Sequence, residues 1–175
     1  MWRKLVWMTL LVSPVTFANV LQSIPDALFK VCPEPLLHHK KNEYLRKDQI
    51  RKINETMEFK MDERGTLVTL FECRKDGKVQ NTAYVDIHEV RKEKETLMIV
   101  VSSIGEIVDI EVLQFDEPKE YAPPSPWLRQ FKLKSKNDMS KGKSSIVGIT
   151  GATFTNRAIS RSVQKILAIH SALNP

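Results

Sequence analysis

The chain has 175 residues, of which 27 are Lys or Arg and 21 are Asp or Glu, so its formal net charge is +6. This excess is modest and is spread along the sequence, which argues against a nucleic-acid-binding protein with its basic stripe. Hydrophobic residues at 42% and charged residues at 27% are typical of a globular domain and exclude a wholly disordered chain. Two cysteines are too few for a disulfide-dense scaffold or for a metal site of four thiolates.

Residues 1–18 have the order of a cleaved secretory signal: a basic start, a short apolar run interrupted by Pro14, and a small residue, Ala18, at the cut. The alternative is an uncleaved membrane anchor, but the unbroken apolar run is well short of the ~20 residues that a spanning helix needs. We therefore expect an exported chain located in the periplasm. Cys32 and Cys73 could form a disulfide in that oxidising compartment, although the sequence does not place them close together.

Residues 19–64 are predicted to form an N-terminal helical segment. A short helical piece over residues 25–29 is expected to end before Pro33 and Pro35, because proline cannot continue a helix interior. The polar stretch over residues 42–57 has apolar side chains at mixed spacings, which favours a surface helix.

Residues 65–175 are predicted to form an α+β domain that makes one compact unit with the segment before it. The pattern predicts strands over residues 65–73, 79–88, 96–102 and 107–115, with turns at Asp76-Gly77 and at residues 103–106. Short strands joined by tight turns indicate an antiparallel sheet. The predicted fold is thus a single α+β domain, with an antiparallel β-sheet packed against N-terminal and C-terminal helices.

A proline-rich segment, residues 116–126, follows the last predicted strand and leads to Trp127. Such a loop before a buried Trp usually packs over one end of a sheet. The other interpretation is a lid or wall beside a planar ligand.

The C-terminal segment carries the most chemical information. An apolar run over residues 145–149 leads to a turn at residues 150–155, and residues 156–172 are predicted to be helical, with Thr155 as a plausible N-cap. Apolar residues at positions 159, 163, 166 and 167, with His170 counted as half-apolar, mark one helical face.

The start of this helix has the chemistry of a phosphate site. Gly151 and Ala152 allow a close approach to the backbone, and the amide groups and dipole of a helix start favour an anion. Arg157 and Arg161 add positive charge. Hydroxyl groups come from three threonines, Thr150, Thr153 and Thr155. The alternative is an ordinary strand–turn–helix corner with a threonine cap.

The sequence Gly-Ala-Thr-Phe-Thr at residues 151–155, before a terminal amphipathic helix, resembles the signature of the FMN-binding domain family. That family includes the periplasmic flavin subunits of sodium-translocating quinone reductases. The resemblance extends over the turn and strand at residues 105–113, over Glu117-Pro118 and Tyr121, and over the aromatic segment at residues 127–131.

The resemblance implies an FMN joined by a phosphoester to Thr153, installed by a separate flavin transferase that takes FMN from FAD. Cofactor-binding positions implied with it are Thr150, Gly151, Ala152, Thr155, Glu117 and Trp127. It further implies an electron-transfer protein whose donor and acceptor are membrane or periplasmic proteins. The flavin performs the redox chemistry, and the protein supplies attachment, orientation and electrostatics.

Two departures from the family pattern keep a second hypothesis open. Family members usually carry Asp where this chain has Val147, and usually Gly where it has Glu120. These residues favour a non-redox periplasmic binding or assembly module that has lost covalent FMN. A stand-alone enzyme is weaker still, because the sequence shows no nucleophile context or acid–base pair.

The remaining candidate ligands are weak. His38-His39 with Cys32 could suggest a metal, but adjacent histidines in a chain point apart, so we interpret them as a solvated pair. His88 and His170 are lone histidines, which are more often packed or exposed than catalytic.

Overall fold

Five antiparallel strands form one sheet whose spatial order follows the chain. The computed structural model describes residues 20–33, 37–61, 66–140 and 145–174, so the predicted signal at residues 1–18 lies outside the described residues. The strands are β1 (Leu37–Tyr44), β2 (Leu67–Lys75), β3 (Lys78–Glu89), β4 (Lys94–Ser102) and β5 (Ile107–Phe115). The helices are α1 (Ile24–Val31), α2 (Lys47–Thr56), α3 (Ser125–Leu128) and α4 (Thr153–Leu173), with short 3₁₀ turns at Lys119–Tyr121 and Arg129–Phe131. The predicted α+β class with an antiparallel sheet is confirmed.

Tight turns set the register of this sheet. Asp76 and Gly77 between β2 and β3 have φ of 50° and 74°, which are the positive values that a two-residue hairpin turn of type I′ requires. Gly105 between β4 and β5 has φ 82°. Both turns are where the sequence predicted them, and β5 has the predicted bounds.

The first strand was not predicted. The sequence suggested a helix over residues 42–57, but α2 begins only at Lys47, and residues 42–44 belong to β1. This strand lies at the sheet edge, and its described side chains are exposed or half-buried. Strand β1 is held by backbone pairing with β2, and its described side chains form no buried face. Its sequence therefore lacks the apolar alternation that marks a half-buried strand.

Helices α2 and α4 cover one face of the sheet and form the larger core with it. Ile50 and Ile53 of α2 and the predicted apolar face of α4 are buried there. That face is confirmed at all five positions: Ile159, Val163, Ile166, Leu167 and His170. Within the described ranges, no helix combines the length and apolar character that crossing a bilayer requires.

Helix α1 covers the opposite face and is joined to the sheet covalently. Its buried side chains pack on Phe71, Met98 and other residues of a second core. A disulfide links Cys32, just after α1, to Cys73 of β2, with their Cα atoms 5.6 Å apart. The disulfide that the sequence left open is therefore present.

We expect this disulfide to contribute substantially to stability. It closes a separation of 41 residues, and the loss of chain entropy in the unfolded state for a loop of this length corresponds to about 4 kcal/mol. The double variant C32A/C73A should lower the free energy of unfolding by an amount of this order in guanidinium denaturation. Dithiothreitol should destabilise the wild type similarly and leave the variant unchanged. Equal stability of variant and wild type would contradict this role.

Candidate functional site

A sharp turn at Gly151 comes directly before α4. Gly151 has φ 80°, a left-handed conformation that glycine adopts without strain. Ala152, the residue before the helix, is buried, while Thr150 and Gly151 are exposed. The first helical hydrogen bond runs from the Asn156 amide to the Ala152 carbonyl at 3.0 Å. The amide groups of the first turn therefore have no partner within the helix.

Thr153 is the first residue of α4, and its side chain is exposed. No side chain of the described residues caps this helix, and its first turn contains no acidic residue. The positive end of a 21-residue helix thus has no side-chain cap and no acid in its own first turn, beside an exposed hydroxyl group. This arrangement suits a phosphate.

Thr155 has a different role from the predicted N-cap. It lies inside the helix, is 1% exposed, and donates a hydrogen bond of 2.9 Å from Oγ1 to the Tyr121 carbonyl. The N-cap prediction is wrong because the helix begins at Thr153, two residues before Thr155. Thr155 instead joins α4 to the proline-rich loop.

The predicted cofactor residue Glu117 organises that loop. Its side chain is buried, and Oε1 accepts hydrogen bonds from the amides of Arg91, Lys92 and Glu93 at 3.2, 3.2 and 3.4 Å. These amides belong to the turn between β3 and β4. A buried carboxylate with several amide donors is well compensated, so Glu117 fixes the loop to this turn.

Arg91 was missed by the sequence reasoning and bridges the loop and the helix. Its guanidinium carbon lies 4.6 Å from the ring centre of Tyr121 and 4.8 Å from that of Phe154. Phe154 follows Thr153 and is about half exposed. No spacing pattern in the sequence predicts that an arginine in the turn between β3 and β4 contacts the start of the last helix.

Trp127 and Gln130 hold the segment before the Gly-Ala-Thr turn. The buried Trp127 donates from Nε1 to the Val147 carbonyl at 2.6 Å, and its ring meets Phe131 edge-on. The Val147 amide donates to Gln130 Oε1 at 3.0 Å. Trp127 thus packs as a buried residue beside the motif, and a contact with a cofactor remains a prediction.

A buried polar cluster lies further along α4. His88 Nδ1 is 3.2 Å from Asp86 Oδ2, and His88 Nε2 is 2.9 Å from Glu95 Oε2. Asp86 Oδ2 also accepts a hydrogen bond of 2.5 Å from the Ser162 hydroxyl, and Asp86 Oδ1 forms an ion pair of 2.5 Å with Lys165 Nζ. The cluster therefore connects β3 and β4 to α4.

Burial and hydrogen bonding compete in this cluster. Burial, the largest effect on His88, opposes its charged form, but the hydrogen bonds to Asp86 and Glu95 outweigh it and raise the pKa of His88 to about 9. Burial raises the pKa of Glu95, opposed by the hydrogen bond from His88. For Asp86, the hydrogen bonds and nearby Lys165 overcome burial and lower the pKa.

The sequence contained a signal for this cluster. Asp86 and His88 are two residues apart on one face of a strand, and Glu95 pairs with His88 across the β3–β4 hairpin. The interpretation of His88 as a lone histidine overlooked that register. His170 is different: it contacts the Tyr84 hydroxyl at 2.9 Å, and burial lowers its pKa.

These two histidines predict a maximum of stability near neutral pH. Folded His88 keeps a proton that the unfolded chain releases above pKa 6.5, so the free energy of unfolding should fall as pH rises towards 9. At 1.36 kcal/mol per pKa unit, this loss is on the order of 3 kcal/mol. Unfolded His170 binds a proton that the folded form does not, so stability should also fall below about pH 6.5.

Urea denaturation across this pH range tests both effects. His88→Gln should flatten the alkaline decline and His170→Gln the part of the acidic decline just below neutral pH, so that each variant controls for the other. A wild type that gains stability between about pH 7 and 9 would contradict the assignment of a protonated His88.

A comparison with models of known protein families identifies the family of this chain. The family model of the FMN-binding domain matches residues 64–168, or 105 of the 175 residues. The match covers β2 to β5, the proline-rich loop and most of α4. No curated protein and no solved structure matches the chain. The resemblance seen in the sequence is confirmed, and the chain belongs to the FMN-binding domain family.

Proposed function

We propose that this FMN-binding domain carries its FMN covalently, through a phosphoester to Thr153, and transfers electrons between periplasmic or membrane proteins. The observation that carries the proposal is the exposed Thr153 hydroxyl at the uncapped, acid-free start of α4. The family assignment supplies the cofactor, and this geometry supplies a site for its phosphate.

The residues at this site fit an FMN phosphate. Amides of the first turn of α4 and the helix dipole favour an anionic phosphate, and Arg157 lies one turn from Thr153. The turn before the helix is open, since a Cβ on Gly151 would meet nothing within 4 Å.

Attachment is a group transfer that the protein itself does not catalyse. The Thr153 oxygen forms a bond to the FMN phosphorus of FAD, the pyrophosphate bond breaks, AMP leaves, and the hydroxyl proton is lost. A separate flavin transferase performs this step. The exposure of Thr153 supports the proposal, since the transferase must reach the hydroxyl group.

Bound FMN supplies a centre that accepts and releases one or two electrons. The chain's own residues anchor and orient it. Thr155 and Glu117 fix the helix start to the proline-rich loop, and Trp127 and Gln130 fix the segment before it. Thr153 therefore projects from a backbone that is held on both sides.

The disulfide supports a periplasmic location. Disulfides persist in oxidising compartments and are rare in the cytosol, and Cys32 is joined to Cys73. This agrees with export through the predicted signal at residues 1–18. The electron donor and acceptor are then proteins of the periplasm or the membrane.

The second candidate is a non-redox binding or assembly module with the same fold. Val147 and Glu120 favour it, because the family usually has Asp and Gly at these places. Both side chains are exposed, so neither changes how the described residues pack.

We expect Thr153→Ala to abolish covalent flavin because it removes the attacking oxygen. The protein should be co-expressed with a flavin transferase and precipitated with acid, and its peptides weighed. The wild-type peptide with Thr153 should gain the mass of one FMN less water. Thr153→Ser, which keeps a hydroxyl group, is the matched control and should remain yellow. Covalent flavin on Thr153→Ala would show the residue assignment wrong, and a colourless wild type would favour the non-redox module.

We expect Val147→Asp to increase the fraction of modified protein at limiting transferase. The resemblance implies that an acid here is part of what the transferase recognises. The side chain is 71% exposed, and its backbone bonds to Trp127 and Gln130 do not involve it, so the substitution should be tolerated. Val147→Asn is the neutral control of the same shape. Equal modification of both variants, measured by intact mass, would contradict the role of the charge.

A further inference from the structure

A cavity of about 330 Å³ follows the first three turns of α4. It begins at Phe154, next to Thr153, and extends to Lys165, about 16 Å along the helix axis. Phe59, after α2, forms another part of its wall, and Arg161 lies over that ring at 5.7 Å. This volume is in the range of small-molecule sites.

His88, which belongs to the buried polar cluster, lines this cavity, and its ring is positively charged. Both ring nitrogens lie within hydrogen-bond distance of carboxylate oxygens, Asp86 Oδ2 and Glu95 Oε2. A neutral imidazole has only one N–H group, so two ionised carboxylates at its two nitrogens are both satisfied only by the doubly protonated ring. Glu95 does not line the cavity and is fully buried, with Oε1 lacking a partner among the described residues.

The cavity lining as a whole is positive. With His88 protonated, four cationic side chains line it against two carboxylates, and the carboxylate of Glu95 behind His88 adds a third negative charge. The cations are His88, Arg157, Arg161 and Lys165, and the carboxylates are Asp86 and Glu89. One of these carboxylates, Asp86, is already paired with His88 and Lys165. A ligand that gains electrons in this cavity therefore meets a stabilising potential.

We propose that this cavity receives the isoalloxazine ring of the FMN, and that His88 is a fixed cation in its wall that favours the reduced flavin. The inference rests on the proposed function and extends it to the control of the redox potential. Reduction adds negative charge, so a nearby cation stabilises the reduced form more than the oxidised one. Asp86 and Glu95 are positioning residues, which act through His88 by holding it protonated.

A larger cavity does not fit this role. It has about 420 Å³ and lies between β5 and the loop around α3. None of its lining residues comes from α4, and its two carboxylates, Asp109 and Glu111, are matched by two cations, Arg129 and Lys132. The cavity beside Phe154 is the one that continues from Thr153 along the same helix.

Redox titration of the flavin-loaded protein tests the proposal. His88→Gln removes the cation and should lower the midpoint potential by at least the equivalent of a tenfold change in the reduced-to-oxidised equilibrium, which is about 30 mV for a two-electron couple. His170→Gln is the matched control, because His170 is a buried histidine of α4 that does not line this cavity. It should leave the potential unchanged.

Glu95→Gln covers the case in which His88→Gln fails to fold, as judged by circular dichroism. Without the carboxylate behind it, His88 should lose its proton at lower pH, and the inflection in the potential-against-pH curve should move with it. NMR of the flavin-free protein reads the same change directly from the His88 ring resonances. An unmoved inflection and an unmoved His88 titration would overturn the proposal.

Ring placement has its own test. Riboflavin, which lacks the phosphate, should be added to flavin-free Thr153→Ala protein, and the His88 and His170 ring resonances compared. A shift of His88 alone supports the proposal, and no shift of His88 overturns it. Flavin that loads normally with an unchanged potential in His88→Gln also overturns it, while the proposed function stands. A wild type that takes up no flavin under any condition overturns both.

Discussion

The hydrogen bond from the buried Thr155 hydroxyl to the Tyr121 carbonyl fixes the start of α4 against the proline-rich loop. That loop is itself fixed, because Glu117 accepts three amide hydrogen bonds from the turn between β3 and β4. A carboxylate buried with such donors cannot lose them cheaply, since an unpaired buried charge costs several kcal/mol. Ala152 and Thr155 are therefore held in the interior, and Thr153 between them points outward from a rigid frame. Precise presentation of one hydroxyl group depends on this chain of contacts.

The β3–β4 hairpin organises both parts of the site. Its turn amides bind Glu117, and Arg91 in the same turn contacts rings of the loop and of α4. A few residues before and after the turn, His88 and Glu95 face each other across the hairpin. The start of α4 and the proposed ring cavity thus both contact this hairpin, and α1 and the disulfide lie on the opposite face of the sheet. This division explains why the polar cluster can be buried: it lies within a well-packed layer that fixes its geometry.

The sequence predicted those parts of the fold in which burial determines where the apolar residues fall along the chain. Strands β2 to β5 and the apolar face of α4 follow from their apolar patterns, and for β4 this pattern is a continuous run because both of its faces are packed. Strand β1 was missed because its polar residues are held by backbone pairing at an edge. Glu117 and Thr153 were found through a family motif, but the hydrogen bonds of Glu117 and the bridge made by Arg91 depend on contacts distant in sequence. His88 lay within reach of sequence reasoning, since a hairpin register would have paired it with Glu95.

The failed N-cap prediction is informative about function. A helix of 21 residues would gain about 1 kcal/mol from Ser, Thr, Asp or Asn at its N-cap, yet this one has Ala152 there, with threonines one and three positions later. The local rule for helix starts is therefore broken here, where a bound phosphate would supply the missing acceptor. Conflicts between local propensity and structure are expected at functional sites, where another requirement decides the residue. Ala152 keeps the helix end uncapped, and Thr153 offers the oxygen that can fix a phosphate there. This combination favours the flavin-bound account over a module with no anionic ligand.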